Sequence, residues 1–221
     1  MSTQQARGAL FLAGQATRNR ARQLSLKLIL LGLGSLLGLI LAAWTFRVQG
    51  WPLVFIELGI IGTLLLADRI AGPKVDRLIQ GAEGERNIGR ELDLLVPDGW
   101  HALHNVSLGR GDVDHVLIGP GGLFIIETKS HKGRIRVDQI NRHMLQQAYA
   151  EKRLLERITG YKFEPLLVFS QAWLVGEVPA KRDGVTVLPA RMLADFVSRR
   201  KPVVTTERAK QVYEQLAEAL T

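Results

Sequence analysis

The sequence predicts a mixed α/β domain preceded by a two-helix transmembrane hairpin. Three observations predict it. Two apolar runs, 28–46 and 51–67, stand close together near the start and hold a single charge between them, Glu57. After Gly72-Pro73, short apolar runs bounded by Gly and Pro alternate with longer stretches of helical periodicity. The first strand-like runs follow one another directly while the later ones are separated by helix, an order that builds a mixed sheet.

The N-terminal arm, 1–27, holds Arg7, Arg18, Arg20, Arg22 and Lys27 and no acid, a charge of +5. The chain as a whole carries a formal +8, and from Lys74 onward 22 basic residues face 19 acidic ones, a balance of +3. The basicity therefore sits in the arm and not in the main domain. It reads first as a topology signal, with contact to anionic lipid or nucleic acid as the second reading. The chain has no cysteine, which excludes disulfides and thiolate metal sites.

The run LILLGLGSLLGLILAAWTF (28–46) has 19 residues, close to the ~20 that cross a bilayer as a helix. A signal peptide is the rival reading. The length of the run, its start near residue 28 and the prompt second run WPLVFIELGIIGTLLLA (51–67) count against it. RVQG (47–50) is the turn of the expected hairpin. Lys and Arg counts on either side of the runs place both ends in the cytoplasm of an inner-membrane protein. Trp44 and Trp51 would lie at the far interface. Gly34 and Gly38 form a pair spaced for close helix approach, though glycine is common in such helices anyway. Glu57 raises a transport role as a third reading, on thin support.

The Gly72-Pro73 pair is expected to end the second helix and open the soluble part. From there the pattern predicts a helix at 80–96 and strands at 101–107, 113–118, 123–129 and 134–137. A helix at 139–159 follows, then strands at 165–169, 172–175 and 185–188, and helices at 190–198 and 204–220. Residues 80–221 are long enough to bury a core.

The chemistry concentrates in GRGDVDHVLIGPGGLFIIETKSHKG (109–133). Gly119-Pro120-Gly121-Gly122 are turn-formers and imply an antiparallel hairpin. If Ile118 faces Leu123, then Asp114 faces Glu127, and alternation puts Lys129 on the Glu127 face. Two carboxylates directly opposed across strands repel. A shared proton, a divalent cation or Lys129 must compensate, unless both acids sit at strand ends where solvent relieves them. Hard oxygen donors beside a lysine fit Mg²⁺, or Mn²⁺, with room for waters and phosphate oxygens. His115 falls on the opposite face and reads as packing, and His101, His104 and His143 lack metal-ligand spacing.

GAEGE (81–85), VDH (113–115), GPGGLFIIETK (119–129) and QQA (146–148) together resemble the NERD, or nuclease-related, domain. The similarity covers roughly 78–190 and leaves 191–221 as a C-terminal helical segment. NERD is considered a relative of the PD-(D/E)XK nucleases. The resemblance therefore implies a restriction-endonuclease-like α/β/α core. By matching position it implies that Asp114 and Glu127 hold a metal ion with support from Glu85. It further implies that Lys129 acts on the water or the developing charge and that Gln147, or its neighbour Gln146, assists. Val113 departs from the wider pattern, in which proline often precedes the aspartate. Glu83 and Glu91 read as solvated helix charges, and Glu85 with Gly84 equally as a helix start. His131, Lys132, Arg134 and Arg136 contact a nucleic-acid backbone on one reading and form a solvated edge strand on the other.

The function expected is Mg²⁺-dependent hydrolysis of nucleic acid, DNA ahead of RNA, by a membrane-anchored cytoplasmic domain. The alternative is a catalytically inactive nucleic-acid-binding or scaffold module at the membrane.

Overall fold

The computed structural model describes residues 15–46, 51–109 and 111–220. They fall into two compact units, Thr17–Gln80 and the one containing Gly81–Thr221.

The first unit holds helix α1 (Gln15–Phe46) and most of helix α2 (Trp51–Asp93). The expected turn at 47–50 and residues 1–14 of the basic arm lie outside the described residues, while the rest of the arm opens α1. The helix break expected at Gly72-Pro73 does not occur, because Pro73 lies inside α2. A proline removes one donor from the ladder, and a helix of 43 residues has many other bonds to hold its course. The carbonyl of Pro73 also accepts the Arg77 Nε at 2.9 Å.

Both apolar runs are helical, as expected. Yet among the described residues no helix is long and apolar enough to cross a membrane, so the structure does not carry the expected pair of spans. Several side chains of the two runs, that of Glu57 included, lie outside the described residues. Those described are laid open: Ile29, Leu31, Leu37 and Leu41 are exposed, and Trp44 is 81% exposed. A Cβ at Gly34 or Gly38 would meet nothing within 4 Å, so close helix approach does not use them.

The second unit is a six-stranded mixed sheet in the order β1-β2-β3-β5-β8-β7. Strands β1 (His101–Ser107), β2 (Asp112–Gly119) and β3 (Gly122–Lys129) form an antiparallel meander. Strands β5 (Glu164–Phe169) and β8 (Val185–Pro189) continue parallel to β3, and β7 (Ala180–Arg182) closes the edge antiparallel. The short strand β7 has no counterpart in the sequence reading, because AKR is too brief and too polar to show a period. Strands β4 (Arg134–Arg136) and β6 (Trp173–Val175) form a separate parallel ribbon.

Helices cover both faces, giving the α/β/α layering of a nuclease-like core. On one face Ile88 and Leu92 of α2 pack with Leu117, Phe124, Ile126, Leu166 and Val168. Leu193 and Val197 of helix α4 (Leu193–Ser198) join them there. On the other, helix α5 (Thr206–Ala219) sets Ala209, Val212 and Leu216 against Val116, Ile118 and Ile125. Helix α3 (Arg142–Thr159) sets Leu145 and Ala148 against Leu167, Phe169 and Val187. Burial on both faces explains why the central strands read as near-continuous apolar runs. Helix α3 begins later than expected because Asn141 caps it, accepting the His143 N–H at 2.9 Å.

Candidate active site

The expected hairpin register holds. Ile118 pairs with Leu123, Val116 with Ile125 and His115 with Ile126. The ladder then stops, and Asp114 and Glu127 are not a paired couple. On its other side β2 passes from His104↔His115 to Val106↔Val113 without pairing Asn105 to Asp114. Asn105 there has φ 51, a left-handed conformation that asparagine tolerates better than most residues. The seam with β3 thus ends before Asp114, and the seam with β1 skips it before resuming at Val113. Its Oδ2 accepts the Thr128 backbone N–H at 2.7 Å, so a carboxylate takes the place of a ladder bond.

Glu127 and Lys129 share a face as alternation requires. The Lys129 Nζ donates to Glu127 Oε1 at 2.6 Å and to Gln147 Oε1 at 3.1 Å. The Gln147 Nε2 donates to Glu127 Oε1 at 2.8 Å. Its second proton goes to Glu151 Oε1 at 2.9 Å. Of the two candidates on α3, Gln147 therefore faces the strands, while Gln146 is exposed. Glu127 is only 3% exposed, and its Oε2 is buried without a hydrogen-bond partner. The Glu151 Oε2 is in the same state.

The clustered acids disfavour one another's charged forms. Burial holds the Asp114 carboxyl well above the usual carboxylate range, and the negative charges of Glu127, Glu85 and Glu151 push the same way. The Thr128 N–H opposes them. Burial, then Glu127, raise Glu151 to about 8. Glu151 is the residue that sequence reasoning missed. The available signal was its spacing, since a position four residues after Gln147 lies on the same face of a helix.

Glu85 does not start a helix, because it lies deep within α2. What the GAEGE stretch provides is closeness. A Cβ on Gly84 would stand 1.8 Å from Ser130 Oγ and 2.5 Å from Ser170 Oγ. Only glycine lets α2 pass over the ends of β3 and β5 and bring Glu85 toward Asp114. His115, one residue after Asp114, lies near the Glu85 backbone, with its Nε2 buried and without a hydrogen-bond partner. As expected from alternation it is buried on the face opposite the carboxylates. It is not mere packing, however, because its Nδ1 lies 2.7 Å from that of His104. The His104 Nε2 lies 3.3 Å from Asp93 Oδ1. Burial, then His104, hold His115 well below the usual histidine range, so this buried pair is not doubly charged.

Asp114, Glu127 and Glu85 would offer hard oxygen donors of the kind that Mg²⁺ or Mn²⁺ takes, and no N–H occupies Glu127 Oε2. Among the described residues no group of three or more His, Asp or Glu side chains is arranged to hold a metal. The fit is therefore to an ion held by one or two carboxylates and otherwise by water and phosphate oxygens, which is the common habit of Mg²⁺.

An uncharacterized protein of Bacillus anthracis is 33% identical over 84 residues, which cover 36% of this chain and 39% of that protein. The chain thus spans well under half the length of that relative. No solved structure matches. The resemblance read from the residues is borne out, for residues 80–170 match the family model of NERD, the nuclease-related domain.

Proposed function

We propose that this domain hydrolyses phosphodiester bonds of nucleic acid with the help of Mg²⁺ or Mn²⁺. The observation that carries the reading is Glu127. One of its oxygens is bound by Lys129 and Gln147 while no N–H reaches the buried other one. The neighbouring Glu151 carboxyl, raised to about 8, hydrogen-bonds Glu127 and would have to release its proton for a metal ion to take its place. A buried acceptor of this kind costs roughly 1–3 kcal/mol unless something binds it. A divalent ion held there would supply an acidified water and would screen charge on phosphate. The residues divide the remaining work. Asp114 and Glu127 present oxygens from two strands, and Glu85 adds negative charge from α2. Lys129 offers its ammonium to the charge developing on a phosphate oxygen. Gln147 holds Glu127 and Lys129 in one arrangement, so little reorganisation remains when substrate arrives.

The alternative, a nucleic-acid-binding module without turnover, draws support from the lack of a third converging ligand among the described residues. A single experiment separates them. The protein is incubated with labelled DNA and RNA plus Mg²⁺ or Mn²⁺, beside Asp114→Asn and Lys129→Met. Metal-dependent cleavage by the wild type alone supports hydrolysis. Binding without cleavage, or equal cleavage by all three proteins, sinks it.

For location we propose attachment to the cytoplasmic face of a membrane, with the domain and both termini in the cytoplasm. The support is the uncharged run 28–46, the exposed leucines of α1 and the +5 arm before it.

A further inference from the structure

The chemistry above leaves one structure unused, the ribbon of β4 and β6. Arg134 pairs with Trp173, Ile135 with Leu174 and Arg136 with Val175. Ile135 and Leu174 turn inward onto the α3 side of the core. Arg134, Arg136 and Trp173 are left exposed. Trp173 is 58% exposed although its backbone is pinned, its N–H donating to the Gly133 carbonyl at 2.8 Å. The Arg191 guanidinium lies over its ring, 4.7 Å from the centroid.

The ribbon is an immediate neighbour of the candidate site. Only residues 130–133 separate Lys129 from β4, and His131 and Lys132 among them are exposed. The returning chain is tied to the same point, with the Ser170 N–H on the Lys129 carbonyl at 3.0 Å. Arg136 is engaged with Asp138 at 2.8 Å. Lys132, Arg134 and Arg191 form no ion pair among the described residues. An exposed indole with Arg191 over one face and two further unpaired cations, Lys132 and Arg134, beside it is the chemistry of a surface for aromatic, anionic ligands. Nucleic-acid bases offer stackable faces on a charged backbone, but in a duplex those faces are hidden.

We propose that the β4–β6 ribbon is a stacking platform for an unpaired nucleobase, with Trp173 as its floor. Arg191 lies over one face of the ring, so the base takes the other, and Lys132 and Arg134 hold the adjoining phosphates. The substrate class is then single-stranded nucleic acid, led from Trp173 toward Lys129. This deepens the hydrolysis reading and rests on it for the direction of the strand.

The test uses full-length protein carrying Asp114→Asn, in mild detergent with EDTA, titrated with labelled oligothymidine, oligouridine and a blunt duplex. Both single strands should bind, with the duplex several-fold weaker. Trp173→Leu should weaken single-strand binding about tenfold. Trp173→Phe should keep most of it, and Arg134→Ala should flatten the salt dependence. The two single strands distinguish DNA from RNA as the preferred source. Equal or tighter duplex binding, or a Trp173→Leu variant that binds as its parent does, overturns the platform. If Trp173→Leu does not fold, indole fluorescence decides. Quenching by oligothymidine in the parent that is lost in Trp173→Phe supports the platform, and unchanged quenching overturns it. Strands bound through Trp173 but never cut by the unsubstituted protein with Mg²⁺ or Mn²⁺ would sink hydrolysis and leave the platform standing. Cleavage indifferent to Trp173→Leu would sink the platform alone.

Discussion

Reversing the Gln147 amide would aim its carbonyl oxygen at Glu127 and Glu151 and its NH₂ group at the Lys129 ammonium. Three hydrogen-bond partners therefore fix one orientation. Gln147→Leu should leave Lys129 loosely placed and lower cleavage roughly 100-fold, measured as single-turnover rates. Lys129→Met should cost about 100- to 1000-fold, because a donor to developing charge is lost. The acids predict a pH effect. A carboxyl raised from 4.5 to about 8 keeps its proton in the folded protein after the unfolded chain has released it. Without metal, stability should therefore fall as pH rises through that window, since the native state binds more protons there. Asp114 acts in the same direction. Thermal melts in EDTA across pH 5 to 8 should show the decline, and Glu151→Gln should remove much of it. Asp114, Glu127 and Lys129 were legible because alternation along a strand is rigid. Glu151 was not, since a glutamate on an amphipathic helix looks like any solvated charge until tertiary packing buries it.

At the scale of elements, the strands were the most legible part. The central ones are apolar on both faces and β2 and β3 meet at glycines, so their existence and the register of that hairpin followed from pattern, while the short polar β7 did not. The point where pairing ends did not, because the stop at Asp114 depends on the Asn105 backbone and the Thr128 N–H, which no periodicity encodes. Helix α2 was misread in the opposite way. Gly72-Pro73 looked like a boundary, yet neighbouring turns carried the helix through it. Gly84 gives a test with an unusual sign. A glycine-to-alanine change inside a helix ordinarily stabilises by about 0.5–1 kcal/mol. Here the added methyl meets Ser130 and Ser170, and Gly84→Ala should instead destabilise by roughly 1–3 kcal/mol. Urea unfolding of Gly84→Ala, alone and with Ser130→Gly, measures it; partial recovery in the double variant is the expected result.

For the whole molecule, the layered domain follows from the order of its elements, while the surroundings of α1 and the first part of α2 do not. Exposed leucines and a basic arm make a joint prediction. The protein should float with anionic vesicles, and if the leucines hold it, 1 M salt should leave it bound, because screening removes only the arm's share. Release by salt would mean that the arm alone makes the contact. The opened seam beside Asp114 has an effect on the molecule at large. Replacing the acids there with neutral, well-packed residues would relieve mutual repulsion and let the sheet pair further, so the sturdiest variants of this protein should be the least able to act. A search that ranks mutants by heat tolerance would strip out the chemistry first, and a culled set of such survivors would mark the working residues by their loss.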